Sequence, residues 1–186
     1  MADLQEAINI LLIARGVTPI IDEDSGHPDV QAAKTLLERY KRAVCSQKWF
    51  FNTEKNVTLS LTASNEIRVP SGVISLDNDS NYVIMAGHLY SMTDRTAVLT
   101  EDAEGLTLIY NRDWEDLPIQ AFDYICSLAK EEFVRALESR IISQTAAEDV
   151  KRSYAILQVT DYRFKDVSKE SANPLMLKWR EKMITR

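Results

Sequence analysis

The chain has 186 residues, 45% of them hydrophobic, which is enough to bury a substantial core in a single domain. Its 22 Lys and Arg against 28 Asp and Glu give a net charge of -6. Because gripping a phosphate backbone requires clustered cations, this balance argues against a DNA-binding protein. The apolar run from Ile8 to Ala14 is too short for a membrane span, so we expect neither a membrane segment nor a signal peptide.

Two helices are predicted in the first 50 residues. The first has Asp3 and Glu6 in a capping-box arrangement, and Gly16 ends it. The second begins at Pro28. Its predicted buried stripe consists of Val30, Ala33, Leu37, Tyr40 and Val44. Four cations are predicted on its other face and at its C-terminal end: Arg39, Lys41, Arg42 and Lys48.

From Lys55 the hydrophobic period changes to two, which is typical of β-strands. Glycines, a proline and polar clusters separate the apolar runs. The predicted strand segments are Val57 to Leu61, Ile67 to Val69, Val73 to Leu76, Tyr82 to Met85, Leu89 to Tyr90, and Leu106 to Tyr110. We expect them to form one small antiparallel sheet.

A long third helix is predicted to follow Leu117-Pro118. Its apolar stripe contains Phe122, Ile125, Cys126, Ala129, Phe133, Ala136 and Leu137. A capping-box arrangement of Thr145 with Glu148 predicts the start of a fourth helix, which runs to about Lys169 and stops before Asn173-Pro174.

The predicted fold class is therefore α+β, with a four-helix bundle carrying a small antiparallel β insertion and an extended C-terminal tail. We predict one domain, with helical parts at about 2–50 and 117–170, a β insertion at about 54–112, and a docking tail at about 171–186. The two cysteines, Cys45 and Cys126, lie far apart on predicted helices, which argues against a disulfide framework or a metal site.

The segment from Asp77 to Asn81 imitates the start of a calcium loop. The sixth position is Tyr82 instead of glycine, and the twelfth is His88 instead of glutamate. We therefore expect a turn capped by its own side chains, with no metal and no cofactor.

A second hypothesis is a tail-associated polysaccharide hydrolase that uses Asp113, Glu115 and Asp116 as its carboxylates. These residues come directly before Leu117-Pro118, where negative charge stabilises a helix N-terminus without any chemistry. No separated second carboxylate is marked out by the sequence, so the structural interpretation is favoured and no enzyme is expected.

Histidine catalysis is also disfavoured, because neither His27 nor His88 lies in a recognisable nucleophile motif. We interpret His27 as a residue at a helix start and His88 as a hairpin residue. An aromatic platform for single-stranded nucleic acid at Trp49 to Phe51 would require more cations than Lys48 and Lys55. We expect these aromatic side chains to seal the junction between the second helix and the sheet.

Several motifs occur in an order that resembles the tail tubular protein A family of short-tailed bacteriophages. Trp49, Phe50 and Asn52, followed by Glu54 and Val57-Thr58-Leu59, resemble one signature of the family. Further similar segments are Ile67 to Pro70, Ile74 to Asp77, Leu89-Tyr90 with Asp94 to Thr96, Tyr124-Ile125, Phe133 and Ile184 to Arg186. The run Arg112, Asp113, Trp114, then Leu117 and Pro118 resembles another signature, although Trp114 replaces the commoner phenylalanine or tyrosine.

The resemblance implies a structural head-to-tail adaptor of the virion, assembled in the host cytoplasm. Such an adaptor forms a ring, usually described as dodecameric, between the portal protein and the tubular nozzle protein (tail tubular protein B-like). Tail fibres dock near that junction, and DNA passes through the lumen without specific binding. The negative charge suits such a lumen, because a wall that does not bind phosphate lets DNA slide.

The C-terminal tail is unusually apolar for a chain terminus, which predicts that it docks on a partner. We predict that it contacts the portal or a neighbouring subunit, by analogy with interfaces anchored on Trp and Met. The residues predicted to make this contact are Leu175, Met176, Leu177, Trp179, Met183 and Ile184.

Overall fold

The computed structural model describes residues 3–21, 26–77, 81–138 and 144–172, with the side chains of 136–138, 144 and 166–172 left undescribed. The described part contains four α-helices and five β-strands, so the α+β class is confirmed. The helices are α1 (Leu4–Ala14), α2 (Pro28–Cys45), α3 (Ile119–Glu138) and α4 (Gln144–Ala172). The strands are β1 (Thr53–Leu59), β2 (Val73–Leu76), β3 (Tyr82–Met85), β4 (His88–Ser91) and β5 (Ala103–Tyr110).

The N-terminal caps follow the sequence. The Asp3 carboxylate accepts a hydrogen bond of 2.8 Å from the backbone N–H of Gln5 at the start of α1. The His27 Nδ1 accepts one of 3.2 Å from the N–H of Asp29, directly before Pro28 in the first turn of α2. The interpretation of His27 as a residue at a helix start is therefore confirmed.

The helices share one hydrophobic core. α1, α2 and α3 pack against one another, and α4 packs against α3. Fully buried residues from all four helices form the centre of this core and include Ile8, Leu11, Leu37, Phe122, Ile125 and Leu157. The predicted stripes of α2 and α3 face this core wherever their side chains are described.

The predicted single sheet is wrong, because the strands form two sheets. β5 is the central strand of a three-stranded antiparallel sheet with the order β1-β5-β2. β3 and β4 form a separate hairpin. Its turn residues Ala86 and Gly87 have positive φ angles of 50° and 79°, as a tight primed turn requires. Alternating hydrophobicity shows which residues share one face of a strand. It does not show which strand is the hydrogen-bonded neighbour, so it does not predict the division into two sheets.

The segment from Ile67 to Val69 is also not a strand. Arg68 makes only an isolated bridge to His88, while Ile67 is fully buried in a second hydrophobic core under the sheets. The interpretation of His88 as a hairpin residue is confirmed, since it is the first residue of β4.

Two local predictions for the helices require correction. Lys41 was predicted on the outer face of α2, but it is only 5% exposed. The helix α4 already begins at Gln144, so Thr145 lies within its first turn and is not its N-cap. Among the described residues, no helix is both long enough and apolar enough to cross a membrane.

Candidate structural site at the helix–sheet junction

Asn52 lies fully buried where the chain leaves α2 and enters the sheet. Its side-chain amide N–H groups donate to three backbone carbonyls, those of Cys45 at 2.6 Å, Gln47 at 3.0 Å and Tyr110 at 3.3 Å. Its side-chain oxygen accepts from the N–H of Trp49 at 3.0 Å. One amide side chain therefore connects the end of α2, the turn after it and the end of β5.

Trp49 fills the space beneath this turn. Its indole N–H donates a hydrogen bond of 3.0 Å to the carbonyl of Val44, so the ring is buried without leaving a polar atom unpaired. The ring meets Tyr154 of α4 edge to face, with centroids 6.3 Å apart. Trp49 thus belongs to the helical core, as expected for an aromatic seal.

Phe50 attaches the same turn to α4. Its backbone N–H donates to the Asp161 carboxylate at 2.8 Å, and its ring stacks on Phe164 with centroids 4.3 Å apart. Asp161 also accepts from Lys165, whose ammonium group donates in addition to the carbonyl of Lys48. The contacts of Phe50 and Lys48 with α4 connect residues separated by more than a hundred positions in the chain.

Arg112 holds the other side of the junction, directly after β5. Its Nε donates to the carbonyl of Phe51 at 3.1 Å, and its guanidinium lies 3.5 Å from a carboxylate oxygen of Glu54. The same group lies over the ring of Tyr110, 4.8 Å from its centroid. Because guanidinium geometry is planar and forked, one arginine makes all of these contacts at once.

Trp114 anchors the segment between β5 and α3. Its indole N–H donates to the Glu38 carboxylate at 2.6 Å, and its ring meets Phe122 edge to face at 6.2 Å. The buried ammonium group of Lys41 lies 3.1 Å from the same carboxylate and 5.3 Å from the ring centroid. A buried lysine is tolerated here because it has an anion and an aromatic face as partners.

The remaining family-motif residues fall into two groups. Leu117 is buried in the helical core, and the Pro118 carbonyl accepts the first backbone hydrogen bonds of α3. Asp113 is exposed at the start of a short 3-10 helix, Trp114–Asp116. Pro70 is exposed in the turn before β2 and does not contribute to the junction. The structure therefore brings Trp49, Phe50, Asn52 and Arg112 together at the helix–sheet boundary, whereas Trp114 and Leu117 belong to the helical core and Pro118 lies at the start of α3.

The carboxylates of the hydrolase alternative lie before the start of α3. Glu115 and Asp116 are exposed on the 3-10 helix that precedes α3, and Asp113 is exposed directly before that 3-10 helix. The first turn of α3 itself contains no acidic residue. His27 caps α2 and His88 begins β4, so neither lies on this turn. In the described residues no group of three or more His, Cys, Asp or Glu could hold a metal ion. Three residues of the predicted Asx turn, 78–80, lie outside the described part.

Burial and hydrogen bonding shift the pKa values of several side chains. Burial raises the pKa of the Cys126 thiol to about 12 and also raises that of Cys45. A hydrogen bond from the Tyr40 hydroxyl, helped by Arg39, lowers the pKa of Glu132 and ties α2 to α3. Both cysteines are free and buried, which makes them inert packing residues.

Three functional residues of the junction are not apparent from the sequence: Glu38, Lys41 and Asp161. They are charged and lie on helices whose patterns predict solvent-exposed faces, and Glu38 and Asp161 have partners that are distant in the chain. Phe164 continues the predicted apolar stripe of α4, seven residues after Leu157, but the sequence does not indicate that its ring stacks on Phe50. The predicted tail contacts, Leu175 to Ile184, lie outside the described residues.

Buried aromatic rings and the hydrogen-bonded side chain of Asn52 define this site as a structural joint between the helical core and the sheet. Comparison with known proteins gives the family. Residues 5–167 match the family described as tail tubular protein, so the chain belongs to that family. It is therefore a structural component of a bacteriophage tail.

A curated relative is named tail tubular protein A and comes from Klebsiella phage KP34. It is 29% identical over 126 residues, and the aligned part covers 66% of each chain. The resemblance drawn from the sequence motifs is thus confirmed at the level of the family.

Proposed function

We propose that this chain is the head-to-tail adaptor of a short-tailed phage and forms a ring between the portal and the nozzle protein of the tail. The observation that carries the proposal is the junction itself. Asn52, Arg112 and Trp49 connect the helical core to the sheet through buried hydrogen bonds and ring contacts. A subunit that joins the head to the tail needs its helical part and its β part held in one fixed relative orientation.

We assign a separate role to each part of the subunit. The four helices form the bundle that builds the ring, and the β insertion meets a tail component such as the nozzle or a fibre. The C-terminal residues 175–186 lock onto the portal or a neighbouring subunit, because their Trp and Met side chains suit interface anchors. In this proposal the chain functions as one adaptor domain, and assembly takes place in the host cytoplasm.

DNA passes through the ring without being held in this proposal. The net charge of -6 supports it, because a wall without clustered cations offers phosphates no counterion release. Retention of the free protein on duplex DNA at moderate salt would contradict this part.

Electron microscopy of the purified protein mixed with its portal tests the central claim. We expect rings seated on the portal, and a chain that never binds the portal would refute the adaptor function. Removal of residues 175–186 should keep the helix content measured by circular dichroism but reduce the number of seated rings. A matched pair sharpens the test: Trp179→Ala with Met183→Ala should reduce seating, whereas Lys178→Ala with Lys182→Ala should reduce it less.

A further inference from the structure

The outer face of α4 carries an apolar ridge. Among the side chains of α4 that the structure describes, those of Ser153 and Leu157 are buried, and Leu157 belongs to the helical core. On the solvent-exposed side, large apolar side chains recur at every third position and are 48%, 51% and 70% exposed: Ile156, Val159 and Tyr162. An isolated exposed apolar residue is ordinary, but a ridge of three on one helix face is typical of a contact surface.

Cations surround this ridge. Lys151, Arg152 and Arg163 are exposed on the same side of α4. No ion pair joins any of them to another residue in the described part of the chain. Glu148 and Asp149 are also exposed on this side, but nearer the start of α4, beyond Lys151 and Arg152, and Asp149 lies 3.9 Å from Lys130. The ridge therefore has an apolar centre and cations next to it at both ends, a combination that favours a partner with an apolar centre and an acidic rim.

A groove lies beside the ridge and offers room for a partner side chain. Its volume is about 390 Å³, and its lining residues are Trp49, Gln158, Val159, Asp161 and Tyr162. A water molecule occupies only about 30 Å³, so the groove can hold a large aliphatic side chain. The groove opens at the junction, where α4 meets the turn after α2.

A surface with the complementary chemistry exists on the same chain, at the start of α3. Ile119 is 55% exposed there. Four exposed carboxylates surround it in sequence, Asp113, Glu115, Asp116 and Asp123. No ion pair joins these carboxylates to other described residues either.

We infer that the outer face of α4 in one copy binds the start of α3 in the next copy, with Ile119 directed into the groove. The inference rests on the proposed ring. The two surfaces are different patches of one subunit, so their contact is head to tail, and such contacts close into rings when the rotation permits. The apolar centres supply affinity, and the opposite charges select the partner surface and its orientation.

Two charge-reversal variants test this contact. The first replaces Arg152 and Arg163 with Glu, and the second replaces Glu115 and Asp116 with Lys. Each alone should weaken self-association at least tenfold in sedimentation velocity and prevent rings on the portal, because like charges then face each other. Mixed in equal amounts, the two variants should restore rings in which they alternate, since every contact then joins opposite charges.

Controls separate this contact from general charge or folding effects. Lys55→Glu with Arg68→Glu makes the same charge change at exposed positions of the β region and should leave rings intact. Ile119→Ser should weaken rings, whereas Ile13→Ser, at a similarly exposed isoleucine, should not. Circular dichroism and thermal unfolding of each variant establish that the subunit fold is retained.

The outcomes distinguish this inference from the proposed function. If wild-type rings form on the portal and neither reversal weakens them, the inference is wrong and the adaptor function stands. If both reversals abolish rings but mixing does not restore them, the two patches bind other partners and the inference is again wrong. If the wild type never binds the portal, the adaptor function fails. Sedimentation velocity then still tests the contact: the two variants should associate when they are mixed, and the absence of association would contradict the inference.

Discussion

Replacement of Asn52 by Ala is the most direct test of the junction. The substitution removes every side-chain hydrogen bond of a fully buried residue. The carbonyl of Cys45 loses its donor, and the N–H of Trp49 loses one of its two acceptors. Both residues are buried, so water does not readily replace the lost partners.

The buried carbonyl of Cys45, left without a partner, costs about 1–3 kcal/mol, and the lost hydrogen bond of the Trp49 N–H costs about 1 kcal/mol more. The free energy of unfolding should therefore fall by about 2–4 kcal/mol. Urea unfolding followed by tryptophan fluorescence measures this change. With a denaturant slope of about 2 kcal/mol per molar, the midpoint should fall by about 1–2 M.

Asn9 provides a matched control for this prediction. It too donates to a backbone carbonyl and accepts from a backbone N–H, both of Ile20, at 3.0 and 2.8 Å. Asn9 and Ile20 are only half-buried, so water can replace the lost partners and Asn9→Ala should cost about 1 kcal/mol. Equal losses for the two variants, or a loss below about 0.5 kcal/mol for Asn52→Ala, would refute the argument from burial.

Three further predictions concern the helical core. Trp114→Phe keeps the edge-to-face packing but removes the indole N–H that donates to Glu38, so the free energy of unfolding should fall by about 1 kcal/mol. An unchanged free energy of unfolding would show that this hydrogen bond contributes nothing to stability. Because the folded-state pKa of Glu132 lies below its usual 4.5, its stabilisation is complete above that pH and is lost as the pH falls through the lower value. The stability difference between wild type and Tyr40→Phe should therefore narrow on acidification, and a constant difference in urea midpoints between about pH 7 and pH 3 would contradict this. With the pKa of Cys126 raised to about 12 and that of Cys45 also raised, a disulfide reagent at about pH 8 should label neither thiol in the native protein and both in urea.

Helix positions followed directly from local pattern. The start of α1 after Asp3 and of α2 at Pro28 depend on neighbouring residues alone, and both agree with the structure. The sheets did not follow in the same way. Whether β3 pairs with β4 or joins β5 depends on which edges meet in space, and alternating hydrophobicity is compatible with either.

Lys41 shows the same limit at one side chain. Its position beside the apolar stripe of α2 and its charge predict exposure. Lys41 is nevertheless buried, because the Glu38 carboxylate and the Trp114 ring are partners for its ammonium group. Trp114 lies more than seventy residues away in the chain. A helical pattern contains no information about such a distant partner.

The family motifs were recognisable as an ordered series, and the structure shows what their residues contact. Trp49 and Asn52 lie three positions apart in the sequence, and Asn52 meets Tyr110 at the end of β5. The sequence predicted that Trp49 and Phe50 lie at the junction between α2 and the sheet, but it did not predict the hydrogen bonds of Asn52 or the attachment of Phe50 to Asp161 of α4. The sequence around Asp161 does not indicate that its carboxylate accepts a hydrogen bond from the backbone N–H of Phe50.

The sequence by itself determined the α+β class, the starts of α1 and α2 and the family, because caps, hydrophobic periods and ordered motifs are local properties of the chain. Only the tertiary structure decided the division into two sheets, the burial of Lys41 and the network around Asn52. Each of these depends on residues that are distant in the chain and become neighbours only on folding. A buried polar group is stable only when such neighbours satisfy it, and that condition is a property of the whole fold.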